Sequence, residues 1–338
     1  MSLIKVSSAI ALMLLGLQLP AHAQFQRRET AADAAGVKPE ALKERINAWT
    51  VGLAGGLIEG APLRLAAEIA RVVNEEGKLH VLPIVTRGAT ENVNALLYLK
   101  GVDAAIINTD ALDEYKAQMP LIERRLVYLL NLFPSELHIF VRPEIRSLDD
   151  LKDKKVNFNT QGTAAAYSGP LIFSRLGLSV EKMFIPHQLA LEQMRRGELS
   201  AVVFVTSKPV DAFIKGRWEP GFKFLAVEYD SKFEDYYLPS SIDSTDYPTL
   251  IQNGERVATI AVPTILAAFN WSQRSDRYRR VKRLVDHLFS RLDQLQAPGF
   301  DPKWKQVNLR ANVPGLGRFR PAQEWLDRPP GGTAGLSR

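Results

Sequence analysis

The chain has 338 residues, of which 46 % are hydrophobic and 24 % charged, the balance of a globular protein long enough for two domains. It contains no cysteine, which excludes disulfides and a lipid anchor on a leading cysteine. Its 43 Lys+Arg against 37 Asp+Glu leave a net charge of +6, read as solubility with a mild attraction for anions.

Residues 1–23 have the form of an export signal. Lys5 supplies a positive start, and Ala9 to Leu19 is an apolar run of about 11 residues, within the ~7–15 of a signal core and short of the ~20 that span a bilayer. The small residues of Ala21-His22-Ala23 predict cleavage after Ala23 and a periplasmic location; a buried N-terminal helix is the alternative. An exported protein rarely meets nucleic acid, so none is expected as a partner. Without disulfides the exported chain must rely on its core.

Residues 24–47 read as a flexible leader. From Ala48 strand and helix signals alternate. Trp49 to Leu53 is a first strand, followed by the glycine turn Ala54-Gly55-Gly56 and a helix from Pro62 to about Asn74, where proline is tolerated in the first turn. Leu63, Ala66, Ala67, Ile69, Ala70 and Val73 recur at helical spacing. His80 to Val85 is the next strand, Thr86-Arg87-Gly88 a turn, then a helix capped by Thr90 and ended by Gly101. Ala104 to Asn108 is a strand, and Asp110 is placed as the cap of a short helix. Leu126 to Phe133 and Leu137 to Val141 are two strand-like runs broken by Pro134. Ser147 to Asp150 matches a capping box. Lys155 to Asn159 is a strand, Thr160 to Thr163 leads into a helix, and Met183 to Pro186 is a short strand.

Two stretches resemble each other. Leu99 to Asp110 and Arg195 to Pro209 both run from a helix end through a glycine and a buried strand to a polar turn. This suggests two lobes of like architecture; two generic units of one larger sheet are the alternative. Tyr236 to Pro248, with Pro239, Ser240, Ser241, Asp243 and Ser244, is taken as a return crossing between lobes. Val257 to Val262 is a strand. Asp276 to Gln296 reads as one long amphipathic helix with the stripe Val281, Leu284, Val285, Leu288, Phe289, Leu292 and Leu295. Its Arg-rich face is a solvated surface or a partner surface. The expected fold is α/β, two-lobed, with doubly wound, mainly parallel sheets and two crossings. Lobe 1 would be 48–141 plus 240–326, lobe 2 142–239, and 327–338 a disordered tail.

Between Thr50 and Leu326 the order of motifs resembles the TAXI-type substrate-binding proteins of tripartite ATP-independent periplasmic (TRAP) transporters. The motifs are Thr86 to Val93, Gly101 to Asp110, Leu137 to Arg142 with Ser147 to Lys152, Gly177-Leu178, and Arg196 to Ala201. The resemblance implies a type II periplasmic-binding-protein fold, with a ligand held in the cleft and integral membrane transporter subunits as partners. Family members carry a hydroxyl- and aromatic-bearing glycine loop after the first strand. In this chain that loop, Gly52 to Gly60, keeps the glycines and lacks those groups.

Ligands of open α/β sheets bind beyond the carboxyl ends of the strands. That rule selects Gly55, Gly56, Thr86, Arg87, Gly88, Thr90, Asn108, Asp110, Thr160, Gly162, Thr163, Thr206, Ser207 and Lys208. Most precede helix starts, whose free N–H groups favour anions. Arg87 is placed as a carboxylate clamp, or paired with Glu91 at the surface. Lys208 would add charge from the second lobe, or sit in a solvated turn, and Tyr167 would cover an apolar part of the ligand. Thr90, Asp110 and Thr163 are equally explained as helix caps. The ligand implied is a small polar or anionic metabolite, an organic acid or an amino acid. No cofactor and no metal are expected: His22, His80, His138, His187 and His287 form no metal-ligand spacing, and no G-x-S-x-G or G-x-G-x-x-G motif occurs. An enzyme is therefore disfavoured. The remaining alternative is a ligand-free accessory or sensory protein that uses the same fold to bind a protein partner.

Overall fold

A computed structural model describes residues 38–58 and 60–328. The expected export signal, the first part of the expected leader and the expected tail beyond 328 lie outside the described residues. Pro39–Ala48, read from sequence as leader up to residue 47, is helix α1 and buries no side chain.

The first lobe opens with β1 (Thr50–Ala54), α2 (Ala61–Val73), β2 (His80–Ile84), α3 (Ala89–Tyr98) and β3 (Ala104–Asn108). β1 pairs in parallel with both β2 and β3. A parallel sheet must be covered on both faces, because crossover helices pack on each side. The side-chain period of a strand then sorts residues alternately between two cores. Ala104 and Ile106 join the core under α2, whereas Ala105 and Ile107 join the core under α3. α2 gives the first core Leu65, Ala66, Ile69 and Val73. The same core receives α6 (Asp276–Phe289), which follows much later in the chain.

The second lobe repeats this scheme. β5 (Lys155–Asn157) pairs in parallel with β6 (Glu181–Met183) and β7 (Ala201–Thr206). α4 (Ala164–Arg175) contributes Ile172 and Phe173 to one core, and α5 (His187–Arg195) contributes Ala190, Leu191 and Met194 to the other. Val203 and Val205 face the first of these cores, Val202 and Phe204 the second. The α/β fold read from the alternation is the fold of the molecule.

Two long strands join the lobes, β4 (Leu126–Val141) and β10 (Arg256–Phe269), which pair antiparallel. Sequence patterning breaks β4 at Pro134, but the strand runs straight through it. Pro134 lies opposite Pro263. β3 pairs with β10 only from Thr264 onward, β9 (Leu238–Asp243) only up to Ala261, and β7 pairs with β4 only from Glu136. The two prolines therefore occupy the waist of the ten-stranded sheet, where no outer strand asks for the N–H they lack. Beyond the waist β8 (Lys223–Leu225) pairs with β4, and Val227 donates to the Ala258 carbonyl of β10.

The return crossing expected at Tyr236 to Pro248 is instead made by β10. Within that stretch lies β9, whose single neighbour is β10, so Pro239 sits in an edge strand. The long terminal helix ends at Phe289 rather than Gln296, with Leu292–Leu295 as a separate turn. All seven residues of its predicted stripe are nonetheless buried. Ser275 caps α6 by accepting from the Tyr278 N–H at 3.1 Å.

Leu284, fully buried in α6, should report the strength of this core. Leu284→Ala is expected to destabilise the protein by about 3 kcal/mol, measured as a lowered urea midpoint with unchanged slope. Leu82→Ala, at a 45 % exposed position on β2, should change stability by less than about 0.5 kcal/mol.

Candidate functional site

A cleft of about 1430 Å³ opens at the carboxyl ends of β1, β3 and β7 and at the first turns of α2, α3, α4 and α5. It exceeds the ~300–1,000 Å³ usual for small-ligand sites. A second cavity of about 420 Å³, beside Arg146, Leu148 and Leu176, shares no residue with it.

The floor of the cleft is made by the strands that meet at the waist. Asn108 ends β3, Ser135 follows Pro134 in β4, and Thr264 follows Pro263 in β10; all three are buried and line the cleft. Asn108 Nδ2 donates to Thr264 Oγ1 at 3.1 Å. Thr264 Oγ1 and Ser135 Oγ lie 2.7 Å apart, and either can donate. Two hydroxyls sharing one hydrogen bond leave one proton over whichever way it runs. The Ser207 hydroxyl, just past β7, is also buried in the lining and has no partner. An unmatched buried donor costs free energy, and a ligand oxygen would satisfy it.

Backbone donors add to this excess. α2 and α3 begin at Gly60 and Gly88 with no side-chain cap, so their first N–H groups have no intrahelical partner. In α4, Thr163 accepts from Ala166 N at 3.3 Å and caps only that group. Ala61, Ala89, Ala164 and Ala165, at these first turns, all line the cleft.

The loops are braced from behind. Buried Asn92 donates to the carbonyls of Gly55 and Ile106 at 2.8 and 2.7 Å, tying the tip of β1 to β3. Thr86 donates to Asn92 Oδ1 and accepts from Gly88 N. A side chain at Gly55 would sit 2.8 Å from Leu63 Cα, so at this position the first glycine loop packs directly on α2 and admits no side chain. Gly88 holds φ near 90°, the left-handed region that favours glycine.

Of the residues selected from sequence, Gly55, Gly56, Arg87, Gly88, Asn108, Thr160, Thr163, Thr206 and Ser207 line the cleft. Thr86, Thr90, Asp110, Gly162, Tyr167 and Lys208 are not brought into its lining. Thr86 is spent on the brace, and Gly88, not Thr90, starts α3. Gly162 lies against the Arg87 side chain, a contact between the two lobes. Arg87 pairs with Glu91 at 3.2 Å with its side chain 65 % exposed, a geometry worth little to stability. Lys208 Nζ is held by Asp246 and the Ser241 carbonyl at 2.8 and 2.7 Å. Tyr167 packs beside the core under α3. Sequence inspection missed Ser135, Thr264, His187, Phe204 and Trp218, all in the lining. Ser135 and Thr264 did carry a signal: each is the polar residue that follows a proline inside an apolar run.

Asp110 does not cap a helix. Asn108 precedes the short helical turn Thr109–Leu112, and the Asp110 carboxylate is buried inside it. Its Oδ2 accepts from the Tyr237 hydroxyl at 3.0 Å, a bond that reaches the second lobe. The Ser168 hydroxyl approaches the carboxylate and favours its charge, yet Ser168 Oγ and Asp110 Oδ1 complete no hydrogen bond of ordinary geometry. Burial outweighs these contacts and pushes the Asp110 pKa up to about 6.

Burial likewise raises Glu136 to about 7, although Lys208 N donates to its Oε2 at 3.1 Å. It lowers His138 to about 3 and His187 to about 4, so both rings are neutral near pH 7. Their hydrogen bonds assign the tautomers. His138 Nδ1–H donates to the Glu136 carbonyl and its Nε2 accepts from Tyr247, which in turn accepts from Val210 N. His187 Nε2–H donates to the Val203 carbonyl. Among the described residues no group of His, Asp or Glu is arranged to hold a metal ion, and no helix is long and apolar enough to cross a membrane.

The described residues thus form two α/β lobes joined by two crossing strands, with a cleft at the strand tips. A family model described as the NMT1-like family matches residues 60–312, and the chain belongs to that family. No curated protein matches it in sequence. Among solved structures, YhfZ from Shigella flexneri is similar at 16 % identity and TM-score 0.44, over 77 % of this chain and 97 % of that one. A mutant of ArgBP from T. maritima is similar at 16 % identity and TM-score 0.42, over 76 % and 95 % of the two chains. The substrate binding protein of an amino acid ABC transporter is similar at 15 % identity and TM-score 0.42, over 76 % and 96 %.

The buried Asp110 carboxyl has a pH signature. Its folded pKa, about 6, lies above its ordinary value of 3.8. Between those values the folded state holds the extra proton, so this group's contribution is full below pH ~4 and is lost as pH rises through 6. Asp110→Asn keeps an acceptor for Tyr237 and removes the charge. It should melt higher than the parent at pH 8, by up to about 3 kcal/mol, with the difference vanishing below pH 4. A gap independent of pH in parallel thermal melts would contradict this.

Proposed function

We propose that this chain is an exported solute-binding receptor that closes its two lobes on a small anionic metabolite and performs no catalysis itself. The observation that carries the reading is the surplus of donors on the cleft floor: one hydroxyl proton of the Ser135–Thr264 pair, the unpartnered Ser207 hydroxyl, and the uncapped first turns of α2 and α3. A carboxylate supplies about four acceptor sites and no donor. It also sits favourably at helix N-termini, at ~0.3–1 kcal/mol each. Micromolar affinity needs about −8 kcal/mol in all, within reach of several charge-assisted hydrogen bonds and the water they displace.

Ligand-driven closure requires contacts from both lobes. Asn108 belongs to the first lobe and Thr160, Thr163 and Ser207 to the second, with Ser135 and Thr264 at the joint. We place the hinge at the Pro134–Pro263 pair, where the sheet narrows to two strands. Transfer of the ligand to membrane subunits of the TRAP type, export with cleavage after Ala23, and the lobe limits read from sequence belong to the same proposal.

The test is thermal melting of the purified mature protein against free amino acids, short dicarboxylates and aromatic carboxylates. At least one acid should raise the melting temperature by several degrees. Ser135→Ala should weaken that acid about tenfold, some 1.4 kcal/mol, without altering the circular dichroism spectrum. If no acid shifts the melt, the receptor reading falls and the ligand-free accessory role replaces it.

A further inference from the structure

Beyond the floor the cleft continues onto a wall of different chemistry. His187 starts α5 and lies parallel to Phe204, with ring centroids 3.5 Å and planes 19° apart. Trp218 lines the same cavity, and the Arg195 guanidinium stacks over its ring at 4.1 Å. Leu191 completes the surface. The wall is rigid because more rings stand behind it. Phe204 meets Phe213 edge-on at 4.9 Å, and Trp218 meets Phe140 edge-on at 4.6 Å. Such packing holds aromatic faces in place before any ligand arrives.

The ionisable groups of this wall are already engaged. The imidazole of His187 is neutral, with its N–H already given to Val203. Arg195 is committed to Trp218, to the Arg217 carbonyl at 2.7 Å and to Glu219 at 4.0 Å. Unspent donors lie on the floor, at the Ser135–Thr264 pair and Ser207, and the wall adds one, the Trp218 Nε1–H, which lies at the edge of the ring and leaves the aromatic faces apolar. A short aliphatic acid seated on the floor would leave the wall in contact with water and much of the 1430 Å³ cleft unfilled. Covering the wall with a flat apolar group releases that water, which is favourable in proportion to the apolar area buried.

We infer that the cleft takes an aromatic carboxylate, its carboxylate on the Asn108–Ser135–Thr264 floor and its ring against His187, Phe204 and Trp218. This rests on the receptor reading and names the class of ligand for the same site. A ring-bearing acid carries a head for the floor and a flat face for the wall of the same cleft, and it loses little rotational freedom on binding because it has few rotatable bonds.

The experiment is calorimetric titration of the purified protein with benzoate, phenylacetate and 3-phenylpropionate, set against acetate, succinate and glutamate. At least one aryl acid should bind ten or more times tighter than every aliphatic acid. Trp218→Ala should weaken that aryl acid at least fivefold and leave succinate unchanged, whereas Ser135→Ala should weaken both. If succinate or glutamate binds as tightly as the best aryl acid, the aromatic assignment is overturned while the receptor reading stands. If no acid binds, the receptor reading itself fails. Should Trp218→Ala not fold, the affinity ranking of the unmodified protein decides the matter.

Discussion

The antiparallel pairing of β4 with β10 through Pro134 and Pro263 is the constraint on which the rest of the molecule depends. There the ten-stranded sheet narrows to two strands, so the buried residues of each core come from one lobe, with partly buried Tyr167 of α4 reaching across to the core under α3. Two prolines facing each other would be costly in a wider sheet, since each would deny a neighbouring strand a hydrogen bond. At the waist there is no such neighbour. The same narrowing places the residues that follow the prolines, Ser135 and Thr264, buried in the lining of the cleft. Hinge and binding floor thus have one origin.

The electrostatics of the site follow from that placement. Strand tips and helix starts converge, so donors accumulate faster than acceptors, and the buried hydroxyls lack a complete set of partners. The nearby histidines do not compensate, because burial keeps His138 and His187 neutral. Asp110 is turned away from the cleft toward Tyr237, where it fastens the first lobe to the second. The negative charge missing from the floor is what a ligand would supply.

Several elements were legible in the chain because their signals are local. β1, β3 and β7 are continuous apolar runs, and the α6 stripe survives intact although its helix breaks at Ser290. Gly197, with positive φ just past the C-cap Arg196, ends α5 in the way its motif suggested, whereas α3 already ends at Tyr98, before Gly101. Other features misled for equally physical reasons. Pro134 reads as a strand breaker because a lone sequence cannot show that its N–H has nowhere to donate. Tyr236 to Pro248 reads as a crossing because edge strands tolerate proline as readily as loops do. Thr86 and Asp110 read as ligand contacts because nothing along the chain reveals that Asn92 and Tyr237 already hold them.

By itself the order of residues determined the α/β class, the two similar halves and the glycine- and hydroxyl-rich turns at the strand tips, since periodicity and turn chemistry act over a few neighbouring positions. Only the tertiary structure decided which of those turns face one another. It also set which hydroxyls are left without partners and how a histidine, a phenylalanine and a tryptophan from separate segments come to share one wall. Those outcomes depend on long-range pairing, and the pairing of β4 with β10 joins residues more than a hundred positions apart.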